Sequence, residues 1–494
     1  MNLRIFDTRE KRKVELVPLR PGKLGIYACG ITVYDVCHVG HARMLVAFDV
    51  IVRHLRTSGL EVRFVRNVTD IDDKIIRRAA AEGVSAEAVA RKYEDAMARD
   101  MVALGIAPPD EEPRATASID EIVALIARLC DQNLAYPAAG DVYFSVESFP
   151  SYGALSGQST SDLQSGARIE VDEDKRNPLD FALWKGAKPG EPQWPSPWGP
   201  GRPGWHIECS AMASRYLGET FDIHGGGADL IFPHHENERA QSEGAFGIGT
   251  FARHWLHSGM VNFGGEKMSK SLGNVVNIGR VAEAHDLEAL RLLFVSAHYR
   301  SPLSFDVARQ PDGSTTFPDL AAAEDRLDYF YRTLERIDAA GLPPGPPTPG
   351  PVLAPADRTV AAFTEAMNDD FNTAAAVGDL YESFVLANKL LDEPKSAPKD
   401  VRLRTLSVLR TDLRRCGETL GIFRRVPSAF LLARRERLCR SRGIDAGVVE
   451  TEIAARAAAR ASKNFTRADE IRTDLKNRGI ELMDTAAGTS WRVV

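Results

Sequence analysis

The stretch YACGITVYDVCHVGHAR, Tyr27 to Arg43, decides how the chain is read. Its first part is a β-like apolar run, and a helix-like run, HARMLVAFDVIVRHLRTSG, begins inside its second part. The two histidines therefore fall on a strand-to-helix turn, where backbone N–H groups without an intrahelical partner attract phosphate. His38 and His41 would stand at one side of a bound phosphate, and Gly40 would let a flat purine come close to the backbone. Taken alone, H-x-G-H is better explained as two helix-capping histidines.

Outward from this turn, the first ~110 residues alternate short strands (KLGIYACG, VRFVRNV) with helices, the rhythm of a parallel sheet. From Ile119 to Pro203 the pattern changes to one helix, a hairpin strand (DVYFSVESF) and the irregular tract WPSPWGPGRPGW, which reads as an insertion. The α/β rhythm then returns, and from Phe317 helices dominate, interrupted by LPPGPPTPGPVLAP, a stiff extended linker by its prolines. Val448 to Val494 reads as two short helices with a strand or two. The expected division is 1–118 and 204–260 for the halves of a split α/β domain, 119–203 for the insertion, and 261–315 for a loop-bearing connection. A helical bundle over 316–430 and a small α/β domain over 431–494 follow.

A chain of 494 residues, 44% hydrophobic and 26% charged, has the make-up of an ordinary multidomain globular protein. The charged start MNLRIFDTREKRK lacks the apolar core of a signal peptide, and no apolar run approaches a bilayer span, so no membrane association and a cytoplasmic location are expected. Six cysteines without paired spacing suit free or metal-bound thiols. The net charge of −6 excludes an indiscriminate nucleic-acid coat. Between Val401 and Arg442, however, twelve arginines face only Asp412, Glu418 and Glu436, which fits a phosphate-contacting face and a solvated helix equally.

A second motif changes the reading of the first. FGGEKMSKSLGN sets Lys267 and Lys270 in a glycine-bracketed polar loop able to close on a polyphosphate. H-x-G-H early and K-M-S-K-S more than two hundred residues later, in a split α/β domain, resemble the paired signature of class I aminoacyl-tRNA synthetases. Such a site lets an amino-acid carboxylate attack the α-phosphorus of ATP. That step needs positioning and positive charge, here from His38, His41, the helix N-terminus, Lys267, Lys270 and Mg²⁺ brought with ATP, and no side-chain nucleophile. Cys37, though adjacent, reads as a core or cap residue.

In FDIHGGGADLIFPHHENERAQSE, His234 and Glu238 are four apart at a helix start and can share a face toward one metal. Unless other ligands converge on the pair, a helix-face hydrogen bond is the better explanation. Cys29 and Cys209 lie 180 residues apart and can join them only through the fold, so spacing does not dictate a metal site.

Beyond these residues, the runs RNVTDIDDKI, EVDEDKRNPLDFALWK, GRPGWHIECSAM, HYRSPLSF and AMNDDFNTAAA, with those already quoted, resemble the bacterial cysteinyl-tRNA synthetases in family order over most of the chain. The resemblance implies a Rossmann-type catalytic domain split by a connective insertion, an anticodon-binding bundle and a small C-terminal tRNA-binding domain. It implies one Zn²⁺ held by Cys29, Cys209, His234 and Glu238 that takes the substrate thiol. It places Thr69 and Trp205 in the amino-acid pocket, and Gly225, Gly226, Gly227 and Asp229 with His38, Gly40, His41, Lys267 and Lys270 around ATP. The implied partners are ATP, L-cysteine and tRNA(Cys), and the expected state is a monomer. In the tail, Arg456, Arg460, Lys463, Arg467 and Arg472 with Trp491 suit a single-stranded RNA loop or else a solvated helix face. The same core also serves the cysteine ligase of mycothiol synthesis, which should lack such a tail. A degenerate, RNA-binding paralogue should lack the intact ATP motifs. QPDGSTTFPDL and the proline-rich tract depart from the family's continuous helices.

Overall fold

The run KLGIYACGIT is apolar on both faces, as a strand covered on two sides must be. It forms β1 (Lys23–Thr32), with Ile26, Tyr27 and Ala28 fully buried. The computed structural model describes residues 3–159, 174–263, 266–267, 276–310, 315–343, 345–485 and 488–494. β1 lies between β2 (Glu61–Thr69) and β3 (Phe221–Gly227), and β4 (Ala252–Ser258) flanks β3, in the order β4-β3-β1-β2. All three pairings are parallel, so Thr32, Thr69, Gly227 and Ser258 end on one edge, the edge where such sheets bind ligands. The register of β1 on β2 shifts between Ala28 and Ile31. At this irregularity a Cβ on Gly30 would stand 1.7 Å from the Asn67 carbonyl oxygen, so only glycine fits the contact.

One face of the sheet packs on α1 (Val39–Thr57), and its core runs without a break into the helical half. The other face carries α2 (Trp205–Leu217) against Phe221 and Trp255. The insertion is more regular than its sequence suggests. Strands Ala135–Ala138, Asp141–Phe144, Phe181–Gly186 and Gly201–Pro203 form an antiparallel sheet over the helix Ile119–Asp131, and its core is shared with Ile207 and Ala211 of α2 and with Ala240 and Ala245. The tract read as irregular thus supplies an edge strand, because Gly201 packs where a Cβ would meet the Trp184 indole nitrogen at 2.3 Å.

The bundle consists of α4 (Pro318–Asp338), α5 (Thr359–Asn368), α6 (Thr373–Asp392) and α7 (Lys399–Leu420). α8 (Pro427–Arg442) crosses the expected boundary at 430. The chain ends in α9 (Ala446–Ala461), α10 (Phe465–Asn477) and the hairpin Ile480–Thr485 with Gly488–Val493. The proline-rich linker does not stand apart: Arg410 donates to the Pro343 carbonyl (3.2 Å), Arg404 to that of Pro351 (3.2 Å), and Thr405 Oγ1 accepts from Leu353 N–H (3.1 Å).

These contacts settle much of the arginine run. Arg414 pairs with Asp338, Arg425 with Asp286 (2.8 Å), Arg434 with Asp325 and Asp328, and Arg437 with Glu324. The acids come from other helices, so counting charges inside 401–442 overstated the excess. In the tail, Arg456 is buried on Asp484 (2.8 Å). Trp491 is 3% exposed, donates to Glu450 (2.6 Å) and lies under the Arg435 guanidinium, so its faces are taken by the protein.

Candidate active site

His38 has extended φ/ψ and caps α1, and its Nδ1 accepts the His41 N–H at 3.3 Å. His41 Nδ1 accepts the His38 N–H in return at 3.4 Å, and the two rings stack with centroids 3.5 Å apart. Helix capping and a phosphate site are thus compatible: the ring nitrogens that cap leave the proton of a neutral imidazole on Nε2. Backbone bonds from Val39 to Val276 (3.0 Å) and from Ile278 to Cys37 (3.0 Å) clamp this turn to the chain that follows K-M-S-K-S. Lys267 lies on a two-residue strand paired to Asn262; its side chain, and all of Lys270, lie outside the described residues.

A cleft of about 300 Å³ opens at the strand ends, lined by His38, Gly40, His41, Trp205, Gly227 and Asp229 among others. Gly225 and Gly226 are strand residues rather than a loop and do not line it; a Cβ on either would meet Phe48 or Leu230. Asp229 sits in a single turn, Ala228–Leu230, beside Gly227. Thr69 is 2% exposed and does not line the cleft; Asn67 Nδ2 donates to its hydroxyl at 3.2 Å. Asp72 caps the next helix by accepting from Lys74 N–H. Cys37 is buried, and burial pushes its thiol up to about 12.

Behind Trp205, whose ring lies 4.3 Å from that of His234, the donor atoms of Cys29, Cys209, His234 and Glu238 all fall within 4.8 Å of one another. β1, α2, the turn Ile231–His235 and α3 (Glu236–Phe246) each bring one ligand. All four side chains are buried. Cys29 Sγ lies 3.2 Å from Glu238 Oε1, and His234 Nε2 lies 3.0 Å from the same oxygen.

The charge state of each ligand is set by its neighbours in the cluster. The hydrogen bond from Cys29 draws the Cys209 thiol down to about 6 against burial, while burial and Cys209 push Cys29 up. Burial favours neutral His234, yet Glu238 and Cys209 outweigh it and raise the imidazole to about 10. Burial also opposes an ionised Glu238, but His224 and His234 hold it well below the usual carboxylate range. Two thiols, an imidazole and a carboxylate are the donor set of a borderline-soft divalent ion, and the cluster can hold one.

A second group, Cys29, His224, His235 and Glu238, shares two of these residues. His224 Nε2 donates to Glu238 Oε2 at 2.8 Å, and His235 Nδ1 lies 2.7 Å from His257 Nε2. Trp205, which lines the cleft, packs on His234 of the first group, and His224 of the second orients Glu238. Sequence reading missed this array. Its signal was present: six of the eleven histidines fall between His206 and His257.

Residues 15–310 match the family of class I (C) tRNA synthetase catalytic domains, 362–424 the DALR domain, and 449–492 the cysteinyl-tRNA ligase anticodon-binding domain. The chain is 48% identical to the cysteine–tRNA ligase of Syntrophotalea carbinolica and 49% identical to that of Geobacter metallireducens, each over the full length of both chains. Among solved structures, methionyl-tRNA synthetase of Mycobacterium tuberculosis in complex with methionyl-adenylate shares the fold, with TM-score 0.58 at 18% identity over 83% of this chain and 93% of that one. A parallel sheet opening on a histidine-capped turn, a buried thiol and imidazole cluster behind it, and full-length identity near one half converge: the chain belongs to the cysteinyl-tRNA synthetases, within the class I aminoacyl-tRNA synthetases.

Proposed function

We propose that the chain is a cysteine–tRNA ligase that joins L-cysteine and ATP into cysteinyl-adenylate and pyrophosphate and then passes cysteine to the 3′ end of tRNA(Cys). The observation that carries the reading is the convergence of Cys29, Cys209, His234 and Glu238 behind the cleft that His38 and His41 border. These four residues would hold Zn²⁺, which when bound supplies a soft Lewis acid that prefers a thiol to a hydroxyl. Hydrogen bonding or pocket size alone separates a thiol from a hydroxyl only modestly.

The chain's own groups do the rest. Trp205 closes the space between the cluster and the cleft and gives the cysteine side chain an apolar wall. His38 and His41 turn their Nε2–H donors to phosphate oxygens, and the first turn of α1 adds its dipole, so charge that develops on the α-phosphate meets fixed donors. Lys267 and Lys270, with Mg²⁺, offset the charge of the departing pyrophosphate. Gly227 and Asp229 hold the nucleoside on the opposite wall. The reading includes a monomer working in the cytoplasm, where the six cysteines, all free thiols here, stay reduced. Among the described residues no helix is long and apolar enough to cross a membrane.

Cysteine-dependent ATP–pyrophosphate exchange followed by acylation of tRNA with labelled cysteine tests the proposal. Both activities are expected. Exchange without transfer to tRNA would redirect the reading to a ligase with another acceptor for cysteine.

A further inference from the structure

The wall of the cleft beside Gly227 is built by Ser258, the cross-strand partner of Gly227, with Gly259 and Met260, and its backbone is held by several groups. From the α1 side, Arg43 Nε donates to the Gly259 carbonyl (3.2 Å), and its Nη2 donates to the carbonyls of His298 (3.2 Å) and Ser301. From below, Gly259 N–H donates to the Tyr299 carbonyl (2.8 Å). The fit leaves no room: a Cβ on Gly259 would stand 2.2 Å from the Ser301 carbonyl oxygen. Whatever moves residues 298–301 moves the wall.

Those residues are in turn gripped by the bundle. Asp370, in the turn between α5 and α6, is 0% exposed. Its Oδ1 accepts from Tyr299 O–H (3.0 Å) and from Phe6 N–H (2.8 Å); its Oδ2 accepts from Arg300 Nε (2.6 Å) and lies 3.5 Å from His298 Nε2. The turn that presents this carboxylate is strained, since Asp370 has φ 65 and Phe371 φ 49, a region that residues with a side chain rarely occupy. Such strain persists where surrounding contacts over-determine it, and here they converge on one carboxylate. Arg43 is equally committed. It is 2% exposed, has no carboxylate partner among the described residues, and leaves Nη1 without a hydrogen bond there. A buried guanidinium spent on three carbonyl oxygens is a positioning device rather than an ion pair.

We infer that Asp370 and Arg43 are paired positioning residues for the cleft wall at Gly259, so that the seating of the helical bundle sets the geometry in which the adenylate forms. The inference rests on the activity proposed above. Arg43 starts two residues after His41, on the helix that His38 caps, so the same contacts fix the distance between the histidine turn and the facing wall.

The test uses the full-length, zinc-loaded chain with Asp370→Asn, Arg43→Lys and the double variant. Asp370→Asn keeps an acceptor for Phe6 and Tyr299 but loses the charge that holds Arg300. Each single change should lower kcat of cysteine-dependent exchange by about tenfold or more, with KM for cysteine and zinc content unchanged. The double variant should be no worse than the worse single one, because both act through one segment. Asp369→Asn, which loses an exposed pair with Lys13, should leave exchange unchanged. The inference is overturned if Asp370→Asn lowers the melting temperature alone, or if the two single effects multiply. Should Asp370→Asn fail to fold, Tyr299→Phe removes one bond to the carboxylate and should still lower kcat a few-fold; an unchanged kcat overturns the inference. If the unaltered chain shows no exchange, the proposed function fails instead, and the coupling is read by titration with ATP alone: Asp370→Asn then shifts the ATP Kd several-fold, and an unshifted Kd overturns it.

Discussion

Two buried constellations in this molecule look alike in composition and differ in purpose. Around Glu238, two thiols, a carboxylate and several imidazoles aim at one point. Around Glu324, Arg434 and Arg437 from α8 meet Glu324, Asp325 and Asp328 of α4, and each guanidinium has a carboxylate. The first is a convergence of metal-ligand types that can share one ion. The second is a closed set of ion pairs that fastens the C-terminal helices to the bundle. Burial of polar groups marks both; the convergence of four metal-ligand atoms within 4.8 Å marks only the site.

The contrast can be broken most sharply at the cluster. Cys209→Ser should abolish zinc retention and lower cysteine activation by at least ~100-fold while the fold survives, read by metal analysis, circular dichroism and exchange kinetics. Full activity in a zinc-free preparation would remove the cluster from the chemistry. At the histidine turn, His38→Asn keeps a capping side chain but loses the imidazole; kcat of exchange should fall on the order of 100-fold with little change in melting temperature. If stability falls instead and kcat holds, His38 is a cap and no more.

Glu324→Ala should behave in the opposite way. Leaving Arg437 without its close carboxylate costs about 3 kcal/mol of stability, seen in denaturant melts, with kcat of exchange at 25 °C nearly unchanged. A smaller effect concerns acid. Burial, and then His224, depress the His257 imidazole to about 3, whereas in the unfolded chain it titrates near about 6.5. The unfolded state therefore takes up the proton first as pH falls, so this contribution to stability is whole above about 6.5 and is lost down to about 3. His257→Gln should flatten that part of the stability–pH curve. Least of all, Arg414→Ala breaks a half-exposed pair with Asp338 and should cost under ~1 kcal/mol. A tenfold rise in KM for tRNA in this variant would return the arginine run to RNA recognition.

The two constellations also differ in how far they can be read before folding. The parallel sheet was legible because a strand buried on both faces must be apolar throughout, as β1 is. The histidine turn was legible because capping and phosphate binding both act within a few residues of chain. His234 and Glu238 could be paired for the same local reason. Cys29 and Cys209 could not, since their meeting depends on the register of β1 and the docking of α2. The histidines behind Glu238 and the acids that neutralise the arginines were invisible for the same reason: each lies on a different element from its partner.

Local chemistry, then, was written in the order of residues: the strand, the cap, the lysine loop, the ligand types. The three-dimensional arrangement settled which donors share a point, which charges cancel, and how Asp370 reaches the cleft wall. Those are questions of distance between residues hundreds of positions apart. Packing answers them, because the buried contacts that choose one register over another involve the whole core at once.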